Sequence, residues 1–347
     1  MVRGTGSPVD PDALVDEYAL YDRSVDIASI YHWLFTETRH LPPTVAHFER
    51  YPRIRHPDGQ ACTPDFTVLF TDGTGIVAEV ANIALNDESV DKLCRQLARY
   101  ATLTELQAGN GTTTAPVTVV DILYLSPIRT TGAAVRRVLT ERLDDPDHWY
   151  NSPRRPVIVQ FAQESDRYVF QIYPDAALNG SLHVGGRTDK AANYGLWHEE
   201  LNATPAHFAA NKVEHAFMND PVPPLYMATR LWANVFPSAY GTDMAEVTVN
   251  VAEVAALVRD QYRHGTTDDV RAALNMLTAA GLATPDKTGK AWTVRRRNLR
   301  HDGPDVHRAI AERIGAASAT RVRQTGVARV VRGRRAPGHG QGTLFDT

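Results

Sequence analysis

Cysteine is nearly missing from this chain of 347 residues, with Cys62 and Cys94 the only two. That excludes a disulfide framework and any zinc site built from cysteines. No apolar run approaches the roughly 20 residues that span a bilayer. The stretch Met1-Val-Arg-Gly-Thr-Gly-Ser-Pro8 has no apolar core of the secretory kind. Cytoplasmic residence is the expectation. His-Glu-x-x-His and similar ligand spacings are also missing. His183, His198, His207 and His215 stand singly between Pro174 and Asn219, a segment with few clean signals.

What is present is ordinary for a globular protein. Hydrophobic residues make up 43%, and 347 residues suffice for two domains. The net charge of −3 hides an asymmetry. From Asp286 onward there are 14 Lys or Arg against 5 Asp or Glu, a local balance of +9, so the rest of the chain sums to −12. An acidic body with a basic end is a pattern used on nucleic acid, with affinity that falls steeply as salt rises.

Periodicity sets the organisation. Ile27, Ile30, Tyr31, Leu34 and Phe35 repeat at three- and four-residue steps, which predicts a helix over 11–40 ended by Leu41-Pro42-Pro43. A hairpin over 51–82 and a helix over 87–106 follow. Val117 to Leu125 is a near-continuous β-branched run, expected for a strand buried on both faces. A helix over 132–143 and strands at 156–162 and 168–173 come next. This order predicts an α/β fold, a mixed central sheet flanked by helices.

The most informative stretch runs from Thr63 to Asn82. Asp72-Gly73 is a two-residue turn between apolar runs, so Asp65 opens one strand and Glu79 lies late in the next. Two carboxylates on neighbouring rigid strands can share a divalent cation, the requirement of metal-assisted phosphodiester hydrolysis. The helix that follows carries Glu88, Lys92, Gln96 and Tyr100 at four-residue steps, hence along one stripe. A solvated face laced by i,i+4 pairs would give the same spacing with no site.

Acid, hairpin, acid and then Gln96-Leu-Ala-Arg-Tyr100, taken together, resemble the PD-(D/E)xK nuclease superfamily. The closest likeness is to the branch with a Gln-x-x-x-Tyr helix motif, over about the first half of the chain. The resemblance implies a restriction-endonuclease-like fold and Mg²⁺ or Mn²⁺ held by Asp65 and Glu79, with the Val80 carbonyl as a further ligand. It also implies an upstream glutamate from the first helix, for which Glu37 is the candidate and Glu49 stands behind it. Gln96 would face the site and Tyr100 would support it. The family's lysine, two residues after the second acid, is here Ala81. Lys92, one helical turn from Gln96, is the candidate replacement, with Lys212 a remote one. Asn82 points to the opposite face of the strand and cannot serve.

Further along, Leu225 to Phe236 reads as a helix, Asn250 as the N-cap of a helix through Tyr262, and Val270 to Gly281 as a third helix with a glycine cap. A basic strand from Ala291 to Arg297 follows. Three helices and a basic hairpin resemble a winged helix-turn-helix. That implies duplex contact with Arg271 and Asn275 as base readers, and with Lys287, Lys290, Arg295, Arg296 and Arg297 on phosphates. From Ala316 the composition predicts disorder. The terminal residues Gln341, Leu344 and Phe345 resemble the Gln-x-x-Leu-Phe peptide by which bacterial replication and repair proteins dock to the sliding clamp.

The expected organisation is therefore a nuclease-like domain over 1–175, a connecting region over 176–220, a winged-helix-like domain over 221–300 and a basic tail over 301–347. The expected activity is that of a Mg²⁺- or Mn²⁺-dependent DNA nuclease, an endonuclease. The alternative is a catalytically degraded relative, acting as a DNA-binding adaptor or within a multi-protein defence or mobile-element system.

Overall fold

The computed structural model describes residues 8–37, 44–81, 86–109, 113–143, 145, 152, 154–175, 177–180, 201–218, 221–299 and 305–333. They fall into two compact units, one of Asp22–Pro221 and one of Met1–Tyr21 with Val222–Thr347.

The first unit is α/β. It takes in helix α1 (Pro11–Thr36) from Asp22 onward, then strands β1 (Val45–Arg50), β2 (Ile54–Arg55), β3 (Ala61–Cys62), β4 (Phe66–Phe70) and β5 (Thr74–Val80). Helix α2 (Asp87–Tyr100) leads to β6 (Glu105–Gly109), β7 (Thr113–Pro116) and β8 (Val119–Pro127). Helix α3 begins at Ile128–Val135 and continues through a π turn, Arg136–Thr140, to Leu143. Strands β9 (Val157–Glu164), β10 (Arg167–Ile172) and β11 (Leu201–Ala203) precede helix α4 (Pro205–Glu214).

Seven strands form one mixed sheet in the order β1-β4-β5-β8-β9-β10-β11. β5, β8 and β9 run parallel, and the outer pairings are antiparallel. β8 is buried continuously from Val120 to Ser126, as a central strand covered on both faces must be. Ile27, Tyr31 and Phe35 of α1 pack on Phe66, Val68, Ile76 and Ala78 from one side. Leu93, Leu97 and Tyr100 of α2 pack on Val77, Ile122 and Tyr124 from the other. Strand alternation therefore turns both Asp65 and Glu79 toward the α2 side. The turn itself is structural: Gly73 takes φ 77°, and Asp72 accepts the Thr74 N–H at 2.9 Å.

Two boundaries differ from the expectation. Residues 176–220 are not a mere connection, because β11 adds the edge strand beside β10, and α4 contributes Phe208 to the core. The second helix ends at Tyr100 rather than Leu106, and Leu106 instead lies in the β6–β7 pairing.

The second unit contains α5 (Pro224–Arg230, continued by a π turn, Leu231–Val235, to Tyr240) and strand β12 (Val247–Asn250). Helices α6 (Val251–Tyr262) and α7 (Thr267–Ala279), strands β13 (Ala283–Pro285) and β14 (Ala291–Val294), and helix α8 (Val306–Gly333) follow. The strands pair in the order β12-β14-β13. Asn250 caps α6 by accepting the Ala252 N–H, and Thr266 and Asp269 form a reciprocal capping box on α7. Gly281 ends α7 with φ 71°. The basic tail departs from expectation in its described part: α8 continues to Gly333, past Ala316 where composition predicts disorder. Val306, Ile310, Ala311 and Ile314 give it a buried stripe, and Tyr18 stacks on His307 at 4.3 Å. No helix among the described residues is long and apolar enough to cross a membrane.

Candidate active site

Asp65 stands just before β4 and grips β5 twice. Its N–H donates to the Ala78 carbonyl at 3.0 Å, and its Oδ2 accepts the Val80 N–H at 2.7 Å. Glu79 is held from the helix. Gln96 Nε2 donates to Glu79 Oε1 at 3.1 Å, and the Tyr100 hydroxyl donates to Oε2 at 2.8 Å. Gln96 also reaches the Tyr100 oxygen at 3.3 Å, so the i,i+4 pair acts as one clamp.

The Tyr100 hydroxyl is buried, and its pKa is raised far above the ordinary tyrosine value. Burial is the largest cause; the Glu79 charge, the hydrogen bond to Glu79 and the Asp65 charge add to it. It stays a proton donor throughout the physiological range, and both carboxylates act on it. Tyr124 sits opposite Glu79 in the β5–β8 register, and burial first, with Glu79 contributing, pushes its hydroxyl up to about 12.

α2 is well built for presenting a polar stripe. Asn86 caps it by accepting the Ser89 N–H at 2.9 Å, and Val90, Leu93, Cys94, Leu97 and Tyr100 anchor its inner face. The outer stripe carries Glu88, Lys92, Arg95, Gln96 and Arg99. With Tyr100 it forms one wall of a cleft of about 440 Å³, whose other wall is Ala61, Cys62 and Thr63. Arg99 is fixed there by Gln60 Oε1 at 2.7 Å and Asp58 Oδ2 at 3.3 Å. Arg95 and Arg99 were missed as candidates, although Lys92, Arg95, Gln96 and Arg99 follow the i, i+3, i+4, i+7 rule of one helix face. Ala81 lies two residues beyond Glu79, packs against the core on the α2 side, and donates its N–H to Leu125 at 3.0 Å. Among the described residues Lys92 is the one lysine that lines the cleft.

Other expected participants are engaged elsewhere. Glu37 closes α1, which packs on the opposite side of the sheet, and its carboxylate accepts from Asn211 Nδ2 at 2.6 Å. The structure does not bring it to Asp65 and Glu79. Glu49 pairs with His47 at 2.8 Å. Lys212 bridges Asp22 and Asp26 at 2.9 and 2.5 Å, far more a structural ion pair than a catalytic ammonium. His207 accepts the Thr204 N–H and stacks on Trp33 at 4.5 Å, while His183 and His198 lie outside the described residues. Among the described residues no group of three or more His, Cys, Asp or Glu is placed to hold a metal ion.

In the second unit Arg271 and Asn275 are exposed on one face of α7, with Arg271 paired to Asp268 at 2.7 Å. Lys287 and Lys290 are exposed on the β13–β14 turn. Arg295 is held by Glu246 at 3.2 Å and donates to Thr284 at 2.8 Å, and Arg297 lies 3.6 Å from Glu246. Arg296 corrects the expectation for this run: it is only 7% exposed, and its guanidinium stands 5.8 Å from the Trp232 ring, so it packs rather than meets a phosphate. Gln341, Leu344 and Phe345 lie outside the described residues. No family model, curated protein or solved structure matches the chain.

Proposed function

We propose that the protein is a metal-dependent DNA nuclease, an endonuclease whose first unit is restriction-endonuclease-like and whose second unit is a winged helix. The observation that carries this reading is the pair of carboxylates turned to one side of a single hairpin, with Glu79 clamped by Gln96 and Tyr100 beside a cation-lined cleft. The donor set is all oxygen, which suits Mg²⁺ or Mn²⁺. Such ions accept one or two carboxylates and fill the rest of their shell with water and phosphate oxygens. Asp65 and Glu79, with the Val80 carbonyl, would hold the ion, and Glu37 is not in this set. When bound, the ion supplies charge for the scissile phosphate and acidity for a coordinated water.

The protein's own residues do the positioning. Gln96 and Tyr100 orient Glu79 without neutralising it, because both are neutral donors. Lys92 takes the part of the ammonium that Ala81 does not provide, donating hydrogen bonds that orient the attacking water from the cleft side. Arg95 and Arg99 hold neighbouring phosphates. The β12-β14-β13 sheet with α5, α6 and α7 supports the winged-helix reading. There Arg271 and Asn275 would face the duplex, and Lys287 and Lys290 would contact phosphates.

Cleavage of plasmid and linear DNA in Mg²⁺ or Mn²⁺ provides the test. Asp65→Asn and Glu79→Gln are expected to lower the rate by about 10³-fold or more. Activity equal to wild type in both variants would contradict the assignment. Ala81 favours one second reading, a DNA-binding adaptor on a degraded nuclease fold. Wild-type protein that neither cleaves nor binds Mn²⁺, yet binds DNA with strong salt dependence, would establish the adaptor instead.

A further inference from the structure

A second cleft of the first unit, about 400 Å³, opens where α1 meets the carboxyl ends of β8 and β9. Arg23 of α1 and Arg129 of α3 line it, together with Pro127, Ile128, Gln163 and Ser165. Four independent features describe its chemistry. Neither arginine has a carboxylate partner among the described residues, and Arg23 Nε is shielded from water with no hydrogen-bond acceptor there. The acids around the cleft already have cations: Asp22 and Asp26 share Lys212, and Glu164 pairs with Arg167 at 2.7 Å. Adding Arg23 and Arg129 brings the cations to four against those three acids, so one positive charge is surplus. α3 begins at the cleft, and its N-cap, Pro127, makes no side-chain capping bond, so the first helical N–H groups point outward unclaimed by a side chain. Finally, Ser165 holds φ 55° at the β9–β10 turn, and Gln163 and Ser165 add neutral polar groups to the wall.

Two guanidinium groups, a helix N-terminus and polar side chains around one open recess match the recognition of a tetrahedral oxyanion. We propose that this cleft is a phosphate-binding site, separate from the acid-bearing hairpin, that takes the phosphate of a nucleotide chain. The site stands without the nuclease reading; only the choice of a polynucleotide over free phosphate rests on it. β5, β8 and β9 are parallel neighbours, so their carboxyl ends share one rim, with the Glu79 end of β5 two strands from β9. At roughly 4.8 Å between strands, the offset along the rim is about 10 Å, to which the thickness of the sheet adds, because Glu79 faces α2 and the cleft faces α1.

The test uses the full chain in EDTA, so that cleavage plays no part. A fluorescent 20-base-pair duplex is titrated across a salt series by anisotropy, and inorganic phosphate is titrated by calorimetry, with wild type and Arg23→Gln/Arg129→Gln. The expected result is an affinity for duplex about ten-fold weaker in the variant, with the slope of log affinity against log salt reduced by about 1 to 2. Loss of phosphate binding with duplex affinity unchanged keeps the site and assigns it to free phosphate. Unchanged duplex affinity and slope, with no phosphate binding lost, overturns the proposal. Arg129→Gln alone, at an exposed position, serves if the double variant unfolds early. Its duplex slope is expected to fall by about 1.

Discussion

The two units carry opposite charge, and each presents the opposite of what its composition advertises. Asp22–Pro221 holds 18 Lys or Arg against 25 Asp or Glu, a balance of −7, yet two of its clefts are lined by Lys92, Arg95 and Arg99 and by Arg23 and Arg129. The other unit is net basic, but its Arg295-Arg-Arg297 run is mostly spent internally, on Glu246, Thr284 and the Trp232 ring. Formal charge summed along a sequence is therefore a poor guide to the charge a surface offers. What counts is which cations line a concave surface.

This contrast can be broken or sharpened by substitution. The largest effect on binding is expected in the acidic unit. Lys92→Ala with Arg95→Ala should weaken duplex affinity by about 10- to 100-fold in EDTA and lower the salt slope by about 2, read by anisotropy. If the same pair changes nothing while a wing variant abolishes binding, the comparison is reversed. Next comes Arg296→Ala. It should cost about 1 to 3 kcal/mol of stability in urea unfolding, because it removes a buried stem packed by Trp232, and leave duplex affinity near wild type. A large affinity loss with unaltered stability would return Arg296 to the phosphates.

Lys287→Ala with Lys290→Ala should weaken duplex affinity only about two- to five-fold, since two exposed side chains without a cleft make screened contacts. The smallest effect is an acid sensitivity in the sheet unit. Burial first, and then the Arg50 charge, lower the His32 pKa to about 4, while Glu37 and Asn211 act in the opposite direction. His32 is thus neutral when folded and takes up a proton more readily when unfolded. Its contribution to stability is complete above about pH 6.5 and is lost as pH falls toward 4. His32→Gln should flatten the decline in Tm between pH 7 and pH 5; an identical decline would remove His32 as its source.

Much of the first unit was legible because its signals are local. Asp72-Gly73 specifies the hairpin turn, Gln96 and Tyr100 specify a stripe, and the β-branched run of β8 can only be a covered strand. The parts that escaped depend on distant partners. β1 mixes charge onto both faces, and Arg50 is buried because Ser29 of α1 accepts its guanidinium at 3.0 Å, a bond no strand pattern announces. β11 is three residues long and exists only because β10 offers an edge. Disorder was expected from Ala316 because apolar content is low there, yet α8 continues past that point; Val306, Ile310, Ala311 and Ile314, which precede it, are buried only because the rest of the unit covers them. The acid pair was readable from spacing, whereas Arg95 and Arg99 became visible only once β3 supplied the opposite wall. Glu37 was placed by analogy, and its real partner, Asn211, comes from 174 residues away.

Manganese binding observed by electron paramagnetic resonance bears most directly on this account. Wild-type protein titrated with Mn²⁺ should show one bound ion per chain, weakened by about ten-fold or more in Asp65→Asn and in Glu79→Gln alike. A bound signal indifferent to both substitutions, or no bound ion in the presence of a non-cleavable duplex, would contradict it.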